Sequence, residues 1–359
     1  MTILFFARRF YPLIGGVEKH VLEVGKRLVK KGHKVIVVTE YEKNTNKQNQ
    51  QSDPLGATIE GIEILRIQAG NEDKLKKFRI WFKLLKYIKF INSADIVHCH
   101  DIFFWYLPFR FLFPFKKVYT TFHGYEGNNM PNKKSVLMHK IAEKLSWGNI
   151  CVGDFFKKWY GTKPTYVSYG AVSEINNLEI KNKNNSNNNS KIEIVYLGRL
   201  EEEAGIMDYL KALRNISKKS LNFKLVVLGN GSQMNKARNY AKKNKLSVEF
   251  KGFVKNIDIY LNRASFVFTS RYLGMMEALM NKKYVLAVYN NQIKKDYLQM
   301  TPFAKFISIS KNSNEIRDQL YKYLSDEKLK NIKINKGYAW VKDKTWERMT
   351  DTYLKLWSS

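Results

Sequence analysis

The chain has 359 residues, 44% of them apolar, with 62 Lys and Arg against 32 Asp and Glu for a formal net charge of +30. That length fits two domains of roughly 150–200 residues better than one, and the apolar content excludes global disorder. Two cysteines, Cys99 and Cys151, exclude a disulfide framework and point to a reducing, cytoplasmic compartment. No apolar run approaches the roughly 18 residues that span a bilayer. The first residues carry their charge after the apolar run, the reverse of a secretory leader. The positive surplus asks for an acidic partner, whether nucleic acid, anionic lipid or a phosphorylated substrate.

Thr2–Ala7 is the kind of short apolar run a buried strand makes. Val17, Val21, Val24 and Leu28 follow at helical spacing, Gly32 ends that helix, and Lys34–Thr39 is the next strand. Lys74–Phe90 carries seven basic residues and no acid. Leu75, Phe78, Phe82, Leu85 and Phe90 can share one side of a helix there. With Trp81 and Tyr87 the segment suits an anionic membrane surface, and it equally suits a core-packed helix with solvated lysines. Ile96–His100 is a strand, and the aromatic run Ile102–Pro108 reads as a helix between core strands or as an acceptor-side or lipid-side patch. Val118–Phe122, Asn149–Val152 and Thr165–Ser168 continue the strands. Strands alternating with helical segments imply βαβ units and a parallel sheet.

Lys181–Ser190 is polar throughout and reads as a linker. The alternation then restarts, with strands at Ile192–Leu197, Lys224–Leu228, Ser247–Phe250, Ser265–Thr269, Tyr284–Val288 and Phe306–Ile309. Ile316, Leu320, Tyr323 and Leu324 mark a helix capped at Ser313, and Trp346, Met349, Tyr353, Leu356 and Trp357 mark an amphipathic closing helix. The expected fold is α/β: two Rossmann-like, doubly wound parallel-sheet domains facing a central cleft. The division is residues 1–173, an interdomain segment 174–191, residues 192–340, and a final helix 341–359 packing back toward the first domain. In such sheets ligands sit at the carboxyl ends of the strands.

Four loops at strand ends carry candidate chemistry. Gly15 and Gly16 precede the first helix, where free backbone N–H groups and the helix dipole favour an anion; on spacing alone a tight strand-to-helix turn is the simpler reading. His123 follows a strand and precedes a glycine, either as a group aimed at substrate or as a structural histidine. His98, His100 and Asp101 lie just upstream, but without a third well-spaced ligand they do not make a zinc site. Arg199, after the first strand of the second half, can clamp two phosphate oxygens or simply lie on the surface. Glu277, one turn beyond Gly274, can accept both hydroxyls of a ribose or be an ordinary helix glutamate.

Taken in order, these segments resemble the retaining two-domain GT-B glycosyltransferases, in particular glycosyltransferase family 4. The resemblance runs through Pro12–His20, Gly32–Thr39, Val97–Asp101, Thr121–Gly124, Tyr169–Val172, Gly198–Leu200, Leu228–Gly231, Phe250–Val254 and Glu277–Met280. It implies sugar transfer from a nucleotide-diphosphate sugar to a hydroxyl of a glycan or lipid-linked glycan, with retention of anomeric configuration. Gly15 and Gly16 would approach the diphosphate, and His123 would lie at the reacting centre. Arg199 would hold the leaving group, and the backbone of Gly274, Met275 and Met276 would face phosphate. Glu277 would bind ribose, and Val254 would line the base pocket. Stabilising charge on the departing diphosphate with fixed cations and helix N-termini needs no metal and no cofactor, and the sequence has no Asp-x-Asp cluster.

Two departures stand out. Ala204 occupies the place of a usual clamp lysine. The usual earlier glutamate is absent, with Thr269 eight residues before Glu277 and Leu273 before the glycine. Arg271, in the same loop as Gly274, is the expected substitute cation; the alternative is a weak or inactive relative that binds nucleotide or glycan within an assembly. Envelope polysaccharide synthesis at the inner face of the cell membrane fits the resemblance, with 74–90 as the anionic-lipid contact. No zinc-finger, RNA-recognition or helix-turn-helix signature accompanies the charge, so no nucleic acid is expected.

Overall fold

The computed structural model describes residues 1–13, 15–41, 55–125, 130–174, 192–217 and 222–358; the polar segment expected as a linker lies outside them. The chain forms two compact units. One comprises Met1–Glu126, Pro131–Ser168 and Trp346–Ser359, the other Tyr169–Thr345 with Gly127–Met130. The second unit thus begins at Tyr169, earlier than residue 174, because the Tyr169 ring packs within it against Tyr272, Phe303 and Trp340.

In the first unit, eight strands make one sheet: β1 (Thr2–Ala7), β2 (Lys34–Glu40), β3 (Leu55–Ile59), β4 (Ile62–Ile67), β5 (Ile96–His100), β6 (Lys117–Phe122), β7 (Gly148–Val152) and β8 (Tyr166–Ser168). Their order is β3-β4-β2-β1-β5-β6-β7-β8. All pairings are parallel except β3–β4. Central strands such as β5 are buried along their whole length, as expected of a parallel sheet covered on both faces. The helices are α1 (Gly16–Lys30), α2 (Lys76–Leu85), α3 (Ile88–Ser93), α4 (Phe103–Leu112), α5 (Lys133–Leu145) and α6 (Phe155–Trp159). The C-terminal helix, Trp346–Ser358, belongs to this unit and buries Trp346, Met349, Tyr353, Leu356 and Trp357.

Two features of this unit depart from the sequence reading. The β3–β4 hairpin was not expected; it turns through Glu60 and Gly61, both at positive φ (53° and 78°), the geometry that matches strand twist in two-residue hairpins. The basic segment 74–90 is not one helix but α2 and α3. The side of α2 packed inward is Ile80 and Leu84, while Leu75, Phe78, Phe82, Leu85 and Phe90 are all exposed, Phe82 at 70%.

In the second unit, β9 (Ile192–Leu197), β10 (Phe223–Leu228), β11 (Val248–Gly252), β12 (Phe266–Phe268), β13 (Tyr284–Val288) and β14 (Ser308–Ser310) form a wholly parallel sheet in the order β11-β10-β9-β12-β13-β14. The last strand starts later than Phe306 because Ala304–Phe306 is a 3-10 turn. The helices are α7 (Ile206–Ser217), α8 (Met234–Lys243), α9 (Asp258–Arg263), α10 (Tyr272–Met280), α11 (Gln292–Gln299), α12 (Ser313–Ser325) and α13 (Glu327–Val341). The cap of α12 is Asn312, whose side chain accepts from the N–H groups of Asn314 and Glu315; Ser313 is the first helical residue.

Each sheet has a point where the winding reverses. In the first it lies between β1 and β5; in the second, between β9 and β12. Loops leaving those strands at their carboxyl ends are pushed apart and leave room for a ligand.

Candidate active site

At the first reversal point, the loop after β1 leads to the N-terminus of α1, and β5 and β6 end in His100 and Phe122, just before Asp101 and His123. Arg8 anchors the start of the β1 loop to Glu40 (3.3 Å) and Glu72 (2.5 Å). Gly15 is the N-cap residue of α1, in extended backbone. A Cβ there would fall 2.2 Å from the Glu18 carboxylate. The close approach that Gly15 permits is therefore to the chain's own acid, which sits in the first helical turn where the dipole favours it. Of the expected glycine pair, Gly16 alone faces open space.

His123 is half-buried. Its backbone N–H donates to the Asp101 carboxylate at 2.7 Å, and Asp101 holds a left-handed φ of 63° to reach it. The ring nitrogen Nε2 lies 2.8 Å from His100 Nδ1, and the His20 ring stands edge-on at 4.8 Å. His123 thus belongs to a cluster of four histidines; the sequence pointed to His123 and to the alternation of His98 and His100, but not to their grouping with His20.

Beneath this cluster runs a chain of hydrogen bonds whose direction follows from its first donor. Indole N–H can only donate, so Trp357 Nε1 donates to His98 Nδ1 at 3.1 Å. Neutral His98 then carries its proton on Nε2 and donates to Thr121 Oγ1 at 2.7 Å. The arrangement that uses every hydroxyl proton continues from Thr121 to the Tyr353 hydroxyl (2.9 Å) and from Tyr353 to His20 Nε2 (2.9 Å). Burial keeps these rings neutral. It pushes His20 down to about 3, and it holds His98, His100 and His123 well below the usual imidazole range, with neighbouring histidines adding to the effect. Among the described residues no group of three or more His, Cys, Asp or Glu is disposed to hold a metal ion.

At the second reversal point, β9 ends at Leu197 and is followed by Gly198 and Arg199. Gly198 holds φ 149° and Gly229 holds φ 145°. A Cβ on Gly229 would lie 1.9 Å from the Gly198 carbonyl oxygen, so the turns after β9 and β10 are packed backbone to backbone. The Tyr196 hydroxyl donates to the Arg199 carbonyl at 2.7 Å. The backbone of Arg199 is thereby fixed while its side chain is exposed, and no described carboxylate pairs with it. Val254 is half-buried in the loop after β11, whose Gly252 carbonyl accepts from Gly229 N–H at 2.7 Å.

Arg271 is the N-cap residue of α10 and is ion-paired with Glu203, which a 3-10 turn over Glu202–Ala204 delivers. Ala204 is itself buried. A cation missed by sequence reasoning lies alongside. Lys294 on α11 is completely buried, donates to the Ser270 carbonyl, and lies 4.6 Å from the Tyr297 ring. Desolvation first, and Arg271 second, lower its pKa, while Glu203 opposes them.

The open amides at the start of α10 are narrower than expected. Met275 N–H already bonds to the Arg271 carbonyl at 3.0 Å, Met276 lies further inside the helix, and both side chains are fully buried. Tyr272 N–H is taken by the Tyr297 hydroxyl at 3.0 Å. The first-turn donors that the helix leaves unused are Leu273 and Gly274. Gly274 is required there, since a Cβ would fall 2.6 Å from Thr269 Oγ1. Glu277 is half-buried one turn on, on the same helix.

Two sheets of this kind, each with a reversal point, make up the GT-B fold. The chain belongs to glycosyltransferase family 4: residues 14–163 match Glycosyltransferase Family 4, and residues 177–340 match Glycosyl transferases group 1. An uncharacterized glycosyltransferase of Methanocaldococcus jannaschii is 22% identical over 94% of this chain and 93% of its own length. A 91-residue stretch is 29% identical to the gpi3 subunit of the Schizosaccharomyces pombe phosphatidylinositol N-acetylglucosaminyltransferase, spanning 25% of this chain and 19% of that protein. The Anabaena protein HepE, solved with UDP and glucose, superposes with a TM-score of 0.73 over 99% of both chains at 11% identity.

Proposed function

We propose that this glycosyltransferase moves a sugar from a nucleoside-diphosphate sugar to a hydroxyl of a glycan or lipid-linked glycan, with retention and without a metal. The observation that carries the reading is the second half-site. An exposed, backbone-anchored Arg199 and the Leu273 and Gly274 amides lie at the reversal point of one sheet, a setting suited to the charge that grows on a departing diphosphate. In this reading Arg271 supplies the cation missing at Ala204, Glu277 takes the ribose hydroxyls and Val254 borders the base. Gly16 and His123 belong to the acceptor-side unit. The structure of HepE with UDP supports a nucleoside-diphosphate donor.

The test is a thermal-shift screen of the full chain across nucleotides and nucleotide sugars, because a ligand that binds only the folded state raises its stability. Transfer from each hit to glycan acceptors follows, with the product anomer assigned by NMR. Binding without turnover, in the presence of chelator or of divalent metal, would identify a silent relative; no binding at all would sink the proposal.

The acceptor side suggests where the enzyme works. No described helix is long and apolar enough to cross a membrane. Leu75, Phe78, Phe82 and Leu85 recur at helical spacing on an outward face amid lysines, and Phe115, just after α4, is 89% exposed. Trp81 ties α2 to α4 by donating to the Phe104 carbonyl at 2.9 Å. Such a basic, apolar face fits an anionic bilayer surface at the cytoplasmic leaflet. Phe82→Ser is expected to weaken co-sedimentation with phosphatidylglycerol vesicles about tenfold, one side chain's burial being worth about 1.5–3 kcal/mol. Equal recovery with and without anionic vesicles would remove the membrane from this account.

A further inference from the structure

The His100–His123 contact is the one hydrogen bond of the histidine cluster whose direction the Trp357 chain does not set. It can be set from what lies on the other side of His100. His100 is 1% exposed, and its Nε2 is buried with no hydrogen-bond partner among the described residues. A neutral pair has two arrangements. If His123 Nε2–H donates, His100 must carry its own proton on Nε2, leaving a buried N–H without an acceptor. If His100 Nδ1–H donates, its Nε2 is only an unused lone pair. Orphaned buried N–H groups are rarer in folded proteins than under-satisfied acceptors, and an unpaired one forfeits the desolvation cost of a whole hydrogen bond. The second arrangement is therefore favoured. His123 then accepts at Nε2 and, as a neutral ring, carries its proton on Nδ1.

We propose that His100 is a positioning residue that fixes His123 in the Nδ1–H tautomer, so that His123 meets substrate as a hydrogen-bond donor to an oxygen acceptor and not as a base. The proposal rests on reading the loop after β6 as part of the substrate site. Two further contacts hold the donor in place. The Asp101 carboxylate anchors the His123 backbone at 2.7 Å. The His100 ring stacks on His123 with centroids 5.1 Å apart, while His20 closes the other approach edge-on at 4.8 Å. An N–H placed this way matches a phosphate or sugar hydroxyl oxygen, both of which accept.

Nitrogen-15 spectra of the histidines in the full chain at neutral pH read the tautomer directly. The expected result is His123 with a protonated Nδ1 and a bare Nε2. H100N, whose amide N–H replaces the imidazole Nδ1–H, keeps that pattern and most of the transfer rate. H100L loses the pattern and lowers kcat by about tenfold, the cost of about 1.4 kcal/mol in the transition state. A wild-type His123 protonated at Nε2, or an H100L spectrum identical to wild type, overturns the proposal. The spectra and the assay separate the two ideas. The expected spectra with no transfer from any nucleotide sugar would refute the transferase reading alone. Transfer unaffected by H100L would refute the role of His100 alone.

Discussion

Replacing Arg199 by Ala lowers kcat for transfer from the nucleotide sugar by about 10²–10³-fold, the cost of removing one fixed donor to a developing anion. Three features of the second unit lead to this figure. The Arg199 backbone is locked by the Tyr196 hydroxyl and by the packed turns at Gly198 and Gly229, so little reorganisation accompanies binding. Its guanidinium is exposed at the reversal point, and no described carboxylate neutralises it. Arg271, in contrast, is held by Glu203. Arg199→Lys keeps the charge but not the two-pronged geometry, so it should fall between wild type and Ala. Initial rates at saturating donor measure this directly, and an unchanged kcat in Arg199→Ala would take the residue out of the site. If Arg271→Ala leaves turnover unchanged while Arg199→Ala abolishes it, Arg271 does not replace the missing lysine.

The first unit should lose stability in mild acid through its buried histidines. All six histidines of the chain lie between His20 and His139, and that whole interval belongs to the first unit apart from Gly127–Met130. His20, His98 and His100 are at most 3% exposed, and burial lowers all three. The unfolded chain binds their protons near pH 6.5, whereas the folded unit does not bind them until far lower pH. Stability is therefore complete above about pH 6.5 and falls as pH drops. By pH 5 each ring costs about 2 kcal/mol, and the three together about 6 kcal/mol, comparable to the whole stability of an ordinary domain. Denaturant midpoints at pH 7.5, 6 and 5, with hydrogen exchange to assign the unit, should show the first unit weakening by that amount. A flat midpoint over that range would mean the rings are already protonated in the folded state.

The parallel strands were legible because a strand buried on both faces tends to be an apolar run: Thr2–Ala7 and Tyr284–Val288 are nearly all apolar, Ile192–Leu197 is broken only by Glu193 and Ile96–His100 by its two histidines. The hairpin at β3–β4 was legible in principle, since Ile62–Ile67 is apolar-rich and Glu60-Gly61 supplies the turn; its proximity to an undescribed polar stretch hid it. The basic face of α2 was correctly composed in the sequence, but only burial of Ile80 and Leu84 shows which side points outward. Position after a strand was readable for His123 and Arg199, and position within a helix for Glu277. Neither could show that Glu18 lies against Gly15, that Lys294 lies beneath Ser270, or that Trp357 reaches His98 from 259 residues away. Those contacts are set by tertiary packing between segments with no local pattern in common.

The closing helix has a consequence for synthesis. The first unit is left at Ser168 and rejoined only at Trp346. During translation the sheet of that unit emerges first, yet Tyr353 and Trp357, which complete the hydrogen bonds under His20 and His98, emerge after all of the second unit. The half-site around His123 is thus the earlier made and the later finished. A ribosome stalled before Trp346 would present an assembled second sheet together with a first whose histidine pocket stands open to water.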